Sequence, residues 1–185
     1  GEGGMLITND KKVSDFARQA RDHGMSPTHR YFHEFLGFNY RMTNMQAALG
    51  LGQISRFDQI LEQRREQELI YKDYLRPIKG LFLREDQEWA DTVHWLMTVR
   101  LDESIERSLF IEKMKERMIE CRPMVYPIDH AVHFKKSANP VGNSVAKHVS
   151  DTAVHLPSGL SLEKADIVRI AEAIASVIRT ISCHR

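Results

Sequence analysis

Residues 37–44 read GFNYRMTN and run into MQAALGLGQ, which has the composition of a helix. Gly37 permits a tight turn that brings backbone close to a ligand. Asn39 offers two amide donors and Arg41 a guanidinium fork. A helix starting near Met42 adds free N–H groups and partial positive charge. This set suits a phosphate or carboxylate, with each charge-assisted bond contributing ~1.5–3 kcal/mol. The same residues also permit a plainer arrangement, in which Asn39 caps its own turn and Arg41 pairs with a surface acid. The pattern is not a P-loop, and composition alone leans to the plainer arrangement.

Upstream, HGMSPTHRYFHEFLG carries His23, His29, Arg30 and His33. No carboxylate or thiol joins them at metal-ligand spacing. A basic loop beside an anionic ligand fits them better than a metal centre, and any single one of them is more often a surface or packing residue. His130 and His133 form an HxxH pair, a weak signal without a helix to place both rings on one face. Glu2 stands among glycines in GEGG, either a close backbone approach to a ligand or a plain turn. There is no Ser/His/Asp constellation, GxGxxG, Walker motif or CxxC.

These residues need elements to hold them. MLI, residues 5–7, reads as a short strand. TNDKKVSDFARQARDHG follows, with Val13, Phe16, Ala17 and Ala20 at helical spacing and Gly24 where a C-terminal stop belongs. Residues 25–41 have no clean period, and a stretch that long is usually functional or disordered. Tyr31, Phe32 and Phe35 beside Leu36 argue against disorder. Thr43 is an expected N-cap, with Gln46 completing a capping box. The helical pattern runs on to Leu75, with Met45, Leu49, Ile54, Phe57, Ile60 and Leu61 as its apolar face, and Pro77 ends it. Gly50 and Gly52 either weaken this helix or allow another helix to approach closely.

A second unit is expected from about residue 79. TVHWLMTVRL, 92–101, alternates like a strand. IERSLFIEKMKERM reads as an amphipathic helix. ECRPMVYPID carries two prolines and reads as an extended edge or loop. NSVAKHVS suggests a short helix, and TAVHLPSG, 152–159, a strand leading into a turn. The last helix is expected to start with Ser161 as N-cap and to bury Ile167, Ile170, Ala171, Ile174, Val177 and Ile178. Strand, helix, loop, strand and helix make a small α+β domain.

Lys plus Arg number 26 and Asp plus Glu 25 among 185 residues, giving a net charge of +1. That balance supports neither nucleic-acid nor membrane-surface binding. No apolar run reaches membrane length, and we expect no signal peptide. Cys121 and Cys183 lie far apart and read as reduced cytosolic thiols. The chain opens GEGGMLITND without an initiator Met, and we expect a piece of a longer protein.

Four segments taken together carry a resemblance: GEGGMLITND, RDHGMSPTHRYFHEFLGFNYRMTNMQAALGLGQI, CRPMVYPIDH and LPSGLSLEKADI. They resemble the DegT/DnrJ family of pyridoxal-phosphate-dependent sugar-nucleotide aminotransferases over nearly the whole chain. The form HGM…RYFH…GFNYRMTN with a later RP is most similar to the GDP-perosamine branch. The resemblance implies α/β architecture of pyridoxal-phosphate fold type I, with residues 1–78 as the tail of the large domain, an interface loop and a long helix, and 79–185 as the small C-terminal α+β domain.

The resemblance also implies roles. The family's Schiff-base lysine sits a few residues before GEGG. The ten lysines of this chain all come after it, so no catalytic residue is assigned here. The Asn of the N-x-R-M segment, which maps onto Asn39, binds the cofactor phosphate from the neighbouring subunit of a homodimer, and Arg41 orders that loop or neutralises charge. Tyr31, His33, Arg122, Tyr126 and His130 fall on segments placed near the sugar nucleotide. The implied reaction moves an amino group, with glutamate as the expected donor, onto a nucleotide-linked keto sugar in the cytoplasm. The competing expectation is a non-catalytic dimerisation or nucleotide-binding module. A metal-binding protein built on the nine histidines is the weakest reading.

Overall fold

The computed structural model describes residues 2–134 and 144–183. The chain divides into two compact units, one up to Phe57 and one from Asp58 onward.

In the first unit, helix α1 spans Lys11–Ala20. Asp10 starts it: the carboxylate accepts from the backbone N–H of Lys12 at 2.7 Å and of Val13 at 3.4 Å. Gly24 stops it as the sequence suggests. Its N–H donates to the Gln19 carbonyl at 2.9 Å, and its φ of +64° is the left-handed conformation that glycine adopts most easily. The strand expected at 5–7 does not form. Met5, Leu6 and Ile7 are exposed and pair with no strand among the described residues; a single extended segment without a ladder partner satisfies neither its backbone nor its side chains.

Residues 22–40 lack a period yet are closely cross-linked. Isolated antiparallel bridges join Asp22 to Asn39 and Met25 to His33. Backbone bonds run from Ser26 N to Phe32 O at 2.7 Å, Glu34 N to Gly24 O at 2.8 Å, and Phe38 N to Ala20 O at 2.9 Å. The order comes from backbone pairing, which leaves no hydrophobic periodicity to read.

Helix α2, Asn44–Ile54, has the expected capping box: Thr43 Oγ1 accepts from Gln46 N at 3.3 Å and Gln46 Oε1 accepts from Thr43 N at 2.9 Å. The single helix expected to Leu75 is instead two. Helix α3 is Phe57–Leu75, and the break falls at Ser55 and Arg56. Ser55 Oγ donates to the Gly52 carbonyl at 3.1 Å and Arg56 N to Gln53 O at 3.0 Å, tightening the last turn until the ladder stops. Of the expected apolar face, Met45, Leu49, Ile54 and Phe57 are exposed.

The second unit takes in α3 from Asp58 onward, with Tyr71 and Leu75 buried. A four-stranded, fully antiparallel sheet follows, in the order β1 (Leu81–Leu83), β2 (Thr98–Leu101), β4 (Ala153–His155), β3 (Arg122–Pro123). Helices α4 (Arg107–Lys115), α5 (Ser144–Thr152) and α6 (Lys164–Cys183) and a 3₁₀ turn at Ile128–His130 complete it. Val99, Leu101 and Val154 point to the face that Phe110, Met114, Ile167, Ile170, Ile174 and Val177 cover, and all are buried in one cluster. Each such side chain contributes ~1.5–3 kcal/mol. The apolar face expected of the last helix is the face that packs.

Three expectations move. The strand expected at 92–101 shortens to 98–101, and β1, not foreseen, pairs with it in the register Leu81–Leu101. Helix α6 starts at Lys164, not behind Ser161: the Asp166 carboxylate accepts from Glu163 N at 3.1 Å and takes over the N-terminal donors. The proline-bearing segment is the sheet edge, as its composition requires. No helix among the described residues is long and apolar enough to cross a membrane.

Candidate functional site

The loop of the opening question lies in the first unit, and there the plainer arrangement is realised. Asn39 Oδ1 accepts from Arg41 N at 3.4 Å, and Arg41 Nη1 stands 3.5 Å from Asp22 Oδ1. Both contacts are long and exposed, so each adds little stability. They also leave donors unspent. Asn39 Nδ2 and the second Arg41 amine have no partner among the described residues. The Asn44 and Met45 N–H groups at the start of α2 donate to no capping side chain among the described residues, because Thr43 Oγ1 accepts only from Gln46 N. An exposed amide, a guanidinium and two free helix N–H groups lie within the seven residues 39–45. That arrangement fits one side of a phosphate.

Two glycines let the loop close on itself. A Cβ at Gly37 would lie 2.1 Å from Gly24 N, and one at Gly24 would lie 2.1 Å from the Phe35 carbonyl oxygen. The two glycines let the turn after α1 and the segment before α2 run in backbone contact. His23 and Tyr31 take positive φ of 62° and 66° to close the same loop. His33 Nδ1 is 2.9 Å from the His23 carbonyl. A carbonyl only accepts, so Nδ1 carries a proton. Arg30 stacks over the exposed Tyr31 ring at 4.9 Å. Glu34 accepts from Gln19 Nε2 at 2.7 Å; bonds from Ser26 and Gln19 hold its carboxyl below the usual range.

The remaining sequence candidates lie in the second unit. Arg122 opens β3, paired in register with His155, and its Nε donates to Glu120 Oε1 at 3.1 Å. Tyr126 is exposed, and His130 ends the 3₁₀ turn. Among the described residues, no group of three or more His, Cys, Asp or Glu side chains is placed to hold a metal.

Sequence reasoning missed the charged cluster of this unit. Lys72, almost fully buried, places Nζ 2.6 Å from Asp86 and 3.1 Å from Glu68. Glu68 also contacts Arg84 at 3.7 Å and His94 Nδ1. Burial and Arg65 push the His94 pKa down, while contact with Glu68 works in the opposite direction. The cluster ties the chain after β1 to α3 around a cavity of about 230 Å³. The Glu68–Lys72 spacing of four was its only local signal. Cys121 and Cys183 are both free thiols.

Comparison with known proteins places this geometry. The model of the DegT/DnrJ/EryC1/StrS aminotransferase family matches residues 1–175. GDP-perosamine synthase of Escherichia coli O157:H7 is 30% identical over 94% of this chain and 47% of its own length. GDP-perosamine synthase of Caulobacter vibrioides is 33% identical over 96% of this chain and 48% of its own. The chain thus spans about half the length of the curated relatives it matches. Helicobacter pylori PseC, an aminotransferase involved in the biosynthesis of pseudoaminic acid, superposes with a TM-score of 0.83 at 19% identity, over 94% of this chain and 48% of that one. At that identity the likeness is one of fold: mixed α/β, part of a fold type I aminotransferase. By the family match over nearly all its residues, the chain belongs to the DegT/DnrJ/EryC1/StrS aminotransferase family.

Proposed function

We propose that this chain is the C-terminal part of a pyridoxal-phosphate-dependent aminotransferase. The enzyme transfers an amino group, from glutamate, to a nucleotide-linked 4-keto-6-deoxy sugar, as in the conversion of GDP-4-keto-6-deoxymannose to GDP-perosamine. It acts as a cytoplasmic homodimer. Residues 1–78 close the large domain and 79–185 form the small one. The cofactor, when bound, supplies the electron sink that carries the amino group between donor and acceptor. The chain's own residues bind and orient. Asn39 Nδ2 donates to a phosphate oxygen across the subunit boundary, and Arg41 exchanges its loose contact with Asp22 for part of the phosphate charge. Tyr31 and His33 in the first unit and Arg122, Tyr126 and His130 in the second address the sugar nucleotide. His33, its Nδ1 held by the His23 carbonyl, presents Nε2 to a sugar hydroxyl.

The observation that carries this reading is the unspent amide of Asn39 beside the capped start of α2. In the complete protein, Asn39→Ala removes one bond to a charged phosphate, roughly a ten- to hundredfold loss of cofactor affinity, and slows turnover less at saturating cofactor. If the contact crosses subunits, mixing Asn39→Ala subunits with subunits lacking the Schiff-base lysine restores activity, since each supplies what the other lacks. Unchanged affinity, or no rescue after proven mixing, overturns the assignment. A dimerisation module without catalysis is favoured by one feature, the exposed apolar side chains of the first unit. Absence of turnover in the complete protein with the dimer intact decides for that reading.

A further inference from the structure

Residues 85–96 lie between β1 and β2 and form no helix or strand. Inside this segment one backbone bond is made, from Ala90 N to Gln87 O at 3.0 Å. Among the described residues, no backbone bond ties the segment to another element. What holds it to α3 is side chains. Asp86 meets Lys72 Nζ at 2.6 Å, Asp91 meets Arg65 at 3.4 Å, and His94 Nδ1 meets Glu68. Arg84, at the root of the segment, reaches Glu68 at 3.7 Å and donates to Thr92 Oγ1 at 3.0 Å.

These contacts are unequal. Asp91 and Arg65 are exposed, and a pair of that kind adds little. Asp86 is exposed too, although its partner Lys72 is buried. Glu68 is largely buried and spends both oxygens, Oε1 on Lys72 and Arg84 and Oε2 on His94. One carboxylate therefore holds both the root of the segment and its far end. His94 has a φ of +51°, a left-handed backbone that is unfavourable for a residue with a Cβ and persists only where neighbours impose it. Trp89, Val93 and Trp95 stay exposed, so their burial does not hold the segment down. A stretch with few backbone bonds and little buried apolar surface opens at low cost. Beneath it lies the cavity of about 230 Å³, walled by Tyr71 and Lys72 from α3 and by Thr92, His94 and Trp95 from the segment.

We infer that residues 85–96 are a strap that opens and closes over this cavity, with Glu68 as its pin. Shut, the strap seals Lys72 from water. Open, it bares the Lys72 ammonium and enlarges a space that is otherwise below the usual size of a small-molecule site. Opening leaves the sheet and α6 packed, because their buried cluster contains no residue of the strap.

The chain's two tryptophans, Trp89 and Trp95, both lie on the strap, so fluorotryptophan labels it and nothing else. Fluorine NMR of the full chain should show the lines of the shut strap beside a minor or exchange-broadened set from the open one. Glu68→Gln should raise the open-to-shut ratio roughly tenfold, the weight of one charged hydrogen bond. Asp86→Asn should raise it about threefold, in keeping with a half-solvated pair. The circular dichroism spectrum should stay unchanged in both variants. If Glu68→Gln unfolds the chain, Asp86→Asn decides, since the Asp86 carboxylate is exposed. Lines that neither substitution moves overturn the strap. Open lines that grow only as the dichroism signal is lost overturn it as well, because the segment then opens with the core and not on its own.

Discussion

The two units of this chain are ordered by different means. The second has a core: Phe110, Met114, Val154, Ile167, Ile174 and Val177 are at 0% exposure or close to it. The first buries no residue of α1 or α2, and Phe16, Phe32, Leu36, Met45 and Ile54 face outward. What holds the first unit is capping, crossed backbone bonds and two glycines without room for a Cβ. A unit of this kind can be locally specific, because its backbone pairing is directional, and still depend on a partner to cover its apolar surface. The residues proposed to touch the cofactor phosphate stand on that exposed unit. Two sugar-nucleotide candidates, Tyr31 and His33, share it; Arg122, Tyr126 and His130 belong to the packed one.

The largest expected effect tests that contrast directly. Phe110→Ala removes a fully buried ring and should cost about 3–5 kcal/mol in denaturant unfolding. Phe16→Ala, on a ring 60% exposed and stacked on Phe35 at 5.0 Å, should cost under about 1 kcal/mol in dilute solution. At high concentration the Phe16 variant should instead lose self-association, visible by light scattering. Equal unfolding costs at low concentration would break the distinction between the units.

The first unit should yield next, and at its glycines. Gly24→Ala forces a left-handed φ on alanine and drives Cβ into the Phe35 carbonyl at 2.1 Å, an effect of roughly 1–3 kcal/mol or more confined to the loop. Limited proteolysis should open residues 20–40 while the second unit stays intact. A variant that resists cleavage would show that the loop does not need the contact.

Local chemistry was legible in the sequence where it is complete within a few residues. The Thr43–Gln46 box, the Gly24 stop, the proline-bearing edge and the apolar face of α6 each need one turn or one face to read. The break at Ser55–Arg56 was hidden because apolar residues keep helical spacing across it, while the cause is a side-chain bond back to Gly52. Strand β1 was hidden because three residues carry too little alternation to read. At the site, both arrangements of Asn39 and Arg41 could be foreseen. The cavity beside α3 could not: on its lining Arg64 meets Ser158 across 94 positions, and a pairing that distant has no local trace.

A smaller effect separates the units by pH. Burial pushes the Cys121 thiol up to about 12 and raises the Tyr71 phenol too. A raised folded-state pKa means that the protonated form is favoured on folding. The associated stability is therefore fully present below pH ~9, where the unfolded thiol is still protonated. It falls as pH rises toward the folded value, by about 1 kcal/mol for Cys121 at pH 10. The second unit should accordingly lose stability in mild alkali, and Cys121→Ser should flatten that slope. At pH 8 a thiol reagent should label Cys183 quickly and Cys121 only after unfolding; rapid labelling of both would show that the core opens readily.

The smallest expected effect asks what covers the first unit. Gly50 and Gly52 sit inside α2, and a Cβ built at either meets nothing within 4 Å. Glycine in a helix interior costs ~0.5–1 kcal/mol relative to alanine, so Gly50→Ala should raise helicity and stability by about that amount in dilute solution, where α2 has no neighbour on this face. Two glycines spaced by one residue are worth that cost if a second helix must come close, and then alanine should weaken association while strengthening the isolated chain. Thermal unfolding followed by circular dichroism at a low and a high protein concentration reads both signs at once. Stabilisation at both concentrations marks the glycines as places of local weakness only. Stabilisation when dilute with a loss when concentrated marks them as the seat of a close helix contact. Destabilisation when dilute would mean that α2 is packed within the chain itself, against the exposure of Met45, Leu49 and Ile54 on either side.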